Sequence, residues 1–579
     1  MSRTTLLTTA MLGALALAAC TQPEADAPTA TAPAPSPASD HAFDGAINAA
    51  DFAAHVKTLA SDEFEGRAPG SAGEEKTVQY LEAQFKRLGL KPGNGASYFQ
   101  DVPMVETTAD EATTLKLDVK GQPRELKFGS DMVVGTRTGQ PEVKVDGSEL
   151  VFVGYGVNAP EQKWNDYAGV DVKGKTVVIL VNDPGFHSQD PKLFEGKRMT
   201  YYGRWTYKFE EAARQGAAAA LIVHDSDGAS YGWDVVKNSW SGAQFDLPSQ
   251  DDPEPRLPVQ GWITGEVARK LFADLGQDLD ALYRAAGQPG FKAIPLQAKA
   301  SVDLKSKTSQ KSSKNVVALL PGAKRPDEAI VYMAHWDHLG NHAHEADEHG
   351  ASSGGEPHTD TIYNGAVDNA TGVAGILEIA EAFSKQTPPP DRSLLFLAVT
   401  LEESGLLGSK YYVAHPSIPL NKTVAVINLD AMPVIGQSRD MTVVGSGSSE
   451  LEDILKTVAS GQQRVLQAEA TPENGFYFRS DHFNFAKAGV PALYAKGGDD
   501  LIDGGLEAGL KAQVDYRDHR YHKPGDQYDP AWKLDGVVQD LDALYGVGKT
   551  LAGNEQWPNW YEGNAFRAAH DKLMQPAAK

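Results

Sequence analysis

The stretch Ser393-Leu-Leu-Phe-Leu-Ala-Val-Thr-Leu-Glu-Glu-Ser-Gly-Leu-Leu-Gly-Ser-Lys410 runs from apolar residues into two adjacent acids, Glu402 and Glu403, then a glycine turn and a second apolar run. Ser393 to Thr400 has the length and unbroken apolar character of a strand buried on both faces. Neighbouring side chains on a strand point to opposite faces, but at a strand-to-helix turn both can reach one cavity from different angles. Two like charges side by side also raise one carboxyl pKa. The pair therefore asks for a chemical reason.

Working outward, similar runs recur at Val316 to Leu320, Ala329 to Ala334, Val424 to Leu429 and Pro491 to Tyr494. Helical spacing lies between and after them at Thr371 to Ser384, Glu450 to Ala459 and Leu534 to Leu551. This alternation predicts an α/β fold, a mixed central sheet covered by helices, with its chemistry at the strand ends. Upstream, Asp51 to Leu59 and Glu74 to Leu88 read as two helices joined by the turn-rich Glu65-Gly-Arg-Ala-Pro-Gly-Ser-Ala-Gly73. Residues 145–300 change texture to short β-type runs, Leu150 to Tyr155 and Thr176 to Val181 among them, with a helix Tyr207 to Gln215 leading into a strand Ala218 to His224. The expected organisation is residues 43–144 and 301–579 as one main domain and 145–300 as a β-rich insertion.

A chain of 579 residues is too long for one ordinary core. With 54 basic against 77 acidic residues, its net charge of −23 repels phosphate backbones and argues against a nucleic-acid partner. At the N-terminus Arg3, the apolar run Leu6 to Ala16 and Leu17-Ala-Ala-Cys20 have the charge, length and small-residue ending of an export signal over residues 1–20. That run is too short for a comfortable transmembrane helix. Cys20 is the only cysteine, so neither an internal disulfide nor a cysteine metal site is possible. The Leu-Ala-Ala-Cys ending resembles a bacterial lipoprotein signal, which implies lipidation of Cys20 and a cell-envelope location. Thr21 rather than Asp after the cysteine implies the outer membrane, facing the periplasm. Residues 21–42, rich in Ala, Pro, Ser and Thr, are a spacer.

At the ends of the apolar runs stand His335-Trp-Asp337-His338, Asp368, Glu402-Glu403, Asp430 and Tyr521-His522. Any one of these has an ordinary explanation, such as an N-cap or a half-buried histidine. Together they offer two imidazoles and three or four carboxylates, a donor set suited to zinc in a two-metal site.

This ordered set resembles the M28 family of co-catalytic zinc metallopeptidases, chiefly aminopeptidases, and Asp62 to Gly73 and Arg479-Ser-Asp-His482 are similar to segments of that family. Phe152-Val-Gly-Tyr-Gly, Asn165-Asp-Tyr and Gly216-Ala-Ala-Ala-Ala-Leu-Ile resemble a protease-associated domain. The resemblance implies two zinc ions, with Asp368 bridging, His335 and Asp430 on one ion, and Glu403 and His522 on the other. It further implies Glu402 as general base, Asp337 as the acid fixing the His335 imidazole, Tyr521 as donor to the oxyanion, and Arg479 and Asp481 in the substrate pocket. The implied substrates are peptides with a free N-terminus. Three rivals remain: a carboxypeptidase gripping a terminal carboxylate through cations such as Arg479 and Lys496, a one-zinc cyclase, and a binding module on the same scaffold. The polar stretch Leu339 to Asn364, carrying His342, His344, His349 and His358, reads as a lid at the cleft entrance. Oligomeric state and preferred N-terminal residue are not encoded legibly.

Overall fold

In the computed structural model, the run that begins at Ser393 forms the strand Arg392–Val399, buried along its whole length. It lies parallel to Arg325–His335, whose other flank carries Thr423–Asn428 and then Ala492–Gly497, also in parallel. Parallel strands at the centre of a sheet are covered on both faces, which is why these four runs read as continuous Val, Leu and Ile. Alternate residues divide between two cores. Leu394, Phe396 and Ala398 pack with Phe52, Phe85, Ile376 and Leu544 on one face, whereas Leu395, Leu397 and Val399 pack with Tyr412, Phe483 and Trp560 on the other. Phe396 stacks on Tyr332 at 5.7 Å between ring centroids, and truncating such a buried ring costs about 3–5 kcal/mol.

The helices sit where their apolar spacing placed them: Ala49–Leu59, Ala72–Arg87, Thr371–Lys385, Leu451–Gly461 and Asp535–Gly553. Asn48 and Ser71 start the first two, each side chain accepting two backbone N–H groups of the first turn. Antiparallel strands flank the parallel centre, with Val316 to Leu320 on one side and Asp440–Val443 on the other. The sheet is mixed, as expected.

Residues 316 to 320 are the end of a strand that runs for 27 residues, Ile294–Leu320. From Ser306 onward it pairs with Phe99–Ala109 in the first sheet. Before that, it pairs with Thr114–Val119 and Glu142–Phe152 in a second sheet. The second sheet continues in parallel through Thr176–Leu180, Ala219–Val223 and Val259–Ile263. Its apolar strands close a core of their own around Leu117, Phe152, Leu221 and Phe272. The sequence boundary at 145 differs from this layout. Leu117 faces Ala300 across the ladder, so strands from Thr114 onward belong to the second sheet.

The structure describes residues 41–252, 254–342 and 360–575. The expected signal, Cys20, nearly all of the spacer, and His344, His349 and His358 lie outside these residues. Among the described residues no helix is long and apolar enough to cross a membrane.

Candidate active site

Three of the four parallel strands deliver groups at their C-terminal ends. His335 is the last residue of Arg325–His335, and Asp430 follows Thr423–Asn428. After Val399 the chain turns at Leu401, a leucine with φ of 57°, and the carbonyl of Glu402 then accepts the N–H groups of Gly405 and Leu406. That turn puts Glu402 and Glu403 on one side. Ala431 and His522 are also left-handed, at φ 49° and 54°. Non-glycine residues hold that conformation only where surrounding structure enforces it, which happens most often at functional sites.

Five groups from five segments meet. Asp368 lies between two imidazoles, with Oδ1 3.3 Å from His335 Nε2 and Oδ2 3.2 Å from His522 Nε2. Asp430 Oδ1 is 3.5 Å from the same His335 nitrogen, and Glu403 Oε2 is 3.2 Å from the same His522 nitrogen. Donor atoms of His335, Asp368 and Glu403 lie within 4.8 Å of one another, as do those of His335, Glu402 and Asp430. An imidazole and carboxylate set this tight fits a divalent transition metal. His338, quoted in the motif but given no role, joins the group with Nδ1 2.7 Å from Glu403 Oε1.

Electrostatics separate the adjacent glutamates. Burial lifts the Glu402 carboxyl well above the usual range, and Glu403, Asp430 and Asp481 add to the rise against the opposing pull of His335. Burial also pushes Glu403 up, but contacts with His338 and His522 overcome that and hold it at about 2. Against burial, Glu402, Asp368 and Asp430 keep His335 well above an ordinary histidine, and Asp368 and Glu403 bring His522 to about 10.

Geometry gives two of the expected residues specific contacts. Asp337 does not receive the second His335 nitrogen on its carboxylate, which is 3.8 Å away; its backbone carbonyl, at 3.1 Å, lies closer. The carboxylate accepts the Glu402 N–H at 3.2 Å, so Asp337 contacts the glutamate turn through its side chain and the His335 ring through its carbonyl. Asp481 is fully buried and accepts the Ser409 hydroxyl at 2.6 Å, supporting the helix after the glutamate turn. Tyr521, 42% exposed, stacks on His522 at 4.0 Å and lines a cavity of about 580 Å³ together with Glu402, Glu403 and Arg479. Lys496 does not reach the cavity wall: its ammonium lies 3.3 Å from the Ala431 carbonyl, beneath Asp430.

The sequence reading missed the groups that hold the loops. Arg67, almost fully buried, donates to the carbonyls of Leu59, Trp336, Asn364 and Gly365, tying the His335 and Asp368 segments together. Asp526 accepts the N–H groups of Val367 and Asp368 at 3.0–3.2 Å. Asn369 bridges to the Asp430 segment through the Leu429 carbonyl and the Ala431 N–H. A Cβ on Gly365, at φ 54°, would lie 2.3 Å from the Asp368 carbonyl oxygen. A lone arginine among Gly, Ala and Pro was the available signal for Arg67.

Residues 315–545 match the family model described as Peptidase family M28. Aminopeptidase NAALADL1 of Mus musculus is 28% identical over 265 residues, 38% of this chain and 32% of that one. Leupeptin-inactivating enzyme 1 of Streptomyces exfoliatus is 33% identical over 137 residues, 23% and 30% of the two chains. The chain thus spans about a third of the length of these relatives. Among solved structures, the aminopeptidase from Aneurinibacillus sp. strain AM-1 is similar with a TM-score of 0.47 and 22% identity, covering 88% of this chain and 95% of that one.

Proposed function

Because residues 315–545 match the model of Peptidase family M28, we propose that this chain is a zinc-dependent exopeptidase, an aminopeptidase that removes N-terminal residues from peptides and holds two zinc ions. The observation that carries the reading is Asp368, whose two oxygens face His335 and His522 at 3.3 and 3.2 Å. His335, Asp368 and Asp430 would hold one ion, and Asp368, Glu403 and His522 the other. Zinc, when bound, lowers the pKa of water and polarises a carbonyl oxygen.

The chain's own groups supply the rest. Glu402 lines the substrate cavity and its N–H is fixed by Asp337. In this reading its carboxylate takes a proton from the attacking water as the C–O bond forms, then gives it to the amine nitrogen as the C–N bond breaks. Tyr521 donates a hydrogen bond from its phenol to the carbonyl oxygen as negative charge develops there. Glu403 is held ionised and ligates.

The test uses the whole chain, dialysed against chelator and reloaded with zinc, on aminoacyl anilides and on N-acetylated peptides. Expected are release of the N-terminal residue from unblocked substrates only, loss on chelation, recovery with zinc, and two zinc ions per chain by elemental analysis. Trimming of N-acetylated peptides from the C-terminus would replace this reading with a carboxypeptidase, a reading favoured by the cations of the cavity wall. No turnover of any substrate would leave a binding role.

A further inference from the structure

The cavity that Glu402, Glu403 and Tyr521 border is closed on its far side by the second sheet and its helices, which contribute Arg204 and Trp205. Six basic residues line it, and they fall into two kinds. Four are neutralised locally: Lys410 and Arg256 sit 2.7 and 2.8 Å from Asp252, Lys487 2.8 Å from Glu254, and Arg137 3.2 Å from Asp246.

Arg204 and Arg479 differ. Arg204 is only 9% exposed, and the Nε of each guanidinium is buried without a hydrogen-bond partner. Among the described residues neither has an acid in ion-pair range. Arg479 rests on the Phe476 ring at 5.3 Å, a contact that orients a guanidinium without neutralising it. The two also act on each other: burial, then the like charge of Arg479, brings Arg204 down to about 9. A buried cation, Arg204, beside a half-buried one, Arg479, with no counterion costs folding free energy unless something anionic joins them. In a chain of net charge −23, acids to pair them were plentiful, and the four neighbours obtained them.

We propose that Arg204, from the inserted layer, and Arg479, from the turn that ends the short helix Phe476–Phe478, form a carboxylate subsite in the substrate cavity, so that the preferred substrates are peptides carrying a negative charge beyond the bond cleaved. The planar forks of guanidinium groups match a carboxylate with paired N–H donors, which a lysine pair would not. Such a carboxylate has two sources, the C-terminus of a short peptide or an aspartate or glutamate side chain. The proposal rests on the exopeptidase reading for the identity of its ligand, and it makes the inserted layer a part of substrate selection.

The experiment compares matched peptides on the zinc-loaded whole chain: Leu-Gly-Gly against its C-terminal amide, and Leu-Glu-amide against Leu-Gln-amide. Expected is a preference in kcat/KM of about 10-fold or more for the charged member of at least one pair, as for hydrogen bonds to charged groups. The pair that shows it identifies the source. In R204M and R479M the ratio should fall towards one, with part restored in R204K, a readout independent of how much folded protein each variant yields. A ratio of one in the unmodified chain, or an unchanged ratio in both methionine variants, overturns the subsite while leaving the peptidase standing. If no peptide turns over, the same pairs are titrated calorimetrically into the chain. Tighter binding of the charged member then supports the subsite and sinks only the catalytic reading, and equal binding sinks the subsite.

Discussion

Leu401, at φ 57°, decides how two neighbouring carboxylates come to different ends. The turn it opens lets Glu403 reach His338 and His522, at 2.7 and 3.2 Å, while Glu402, on the same cavity wall, lies beside His335 and Asp430. Their acidities move in opposite directions, Glu402 upward through burial and Glu403 down to about 2 through its imidazoles. A carboxyl that holds its proton readily suits proton transfer, and one that stays ionised suits ligation. Accordingly, Glu402→Gln should lower kcat by about 10²–10⁴-fold with zinc content unchanged. Glu403→Gln should release zinc on dialysis. Equal zinc loss in the two variants, read by elemental analysis, would overturn this division. Tyr521→Phe should cost about 10²–10³ in kcat with little change in KM, and a variant of full activity would remove the phenol from the mechanism.

At the scale of elements, strands and helices were legible because apolar periodicity survives in the sequence. Arg392–Val399 and Thr371–Lys385 lie within a residue or so of where the pattern put them. The five proposed ligands were quoted from the sequence as well, each at a strand end or at the start of a turn, and the structure brings them together. What pattern could not supply was the bracing of the loops, because Arg67 and Asp526 act through backbone groups distant in the chain. Asp526 is the sharper case: it accepts the N–H of Asp368 itself without touching the proposed metals. Asp526→Ala should weaken zinc binding by about 10–100-fold, the usual cost of losing an outer support of a ligand, measured by competition with a chromogenic chelator. Unchanged affinity would show that Asn369 and Arg67 hold the loop alone. Asp337 shows what a resemblance leaves open. Its position two residues after His335 suggested an imidazole partner, and only coordinates revealed that its backbone carbonyl lies nearer the ring than its carboxylate does.

Across the whole molecule, buried charge far from the site sets a pH dependence. Glu378 is 2% exposed and lies 3.8 Å from His55, yet the pair is not ionic near neutrality. Burial lowers His55 to about 3, and burial, with Asp51 and Glu381 adding to it, raises Glu378 to about 8. An exposed glutamate loses its proton near about pH 4.3. At this carboxyl the folded chain binds more protons than the unfolded one between those values, so its contribution to stability is full in acid and is lost as pH rises towards 8. His55, neutral in the folded chain, opposes it below the ordinary histidine value of about 6.5, so the net fall belongs to the range from about pH 6.5 to 8. Glu378→Gln should therefore flatten the fall of Tm across that range, and an unaltered slope would assign it to other groups. Composition, periodicity and the order of His335, Asp368, Glu402, Glu403, Asp430 and His522 were enough to determine an α/β sheet with a zinc-type donor set at its strand ends. These are local properties, each readable within a few residues. Tertiary structure alone decided which face each carboxylate serves, where the second sheet begins, and that Arg204 and Arg479 share one cavity. Those outcomes depend on contacts between segments hundreds of residues apart, brought together by a single strand, Ile294–Leu320, that runs through both sheets.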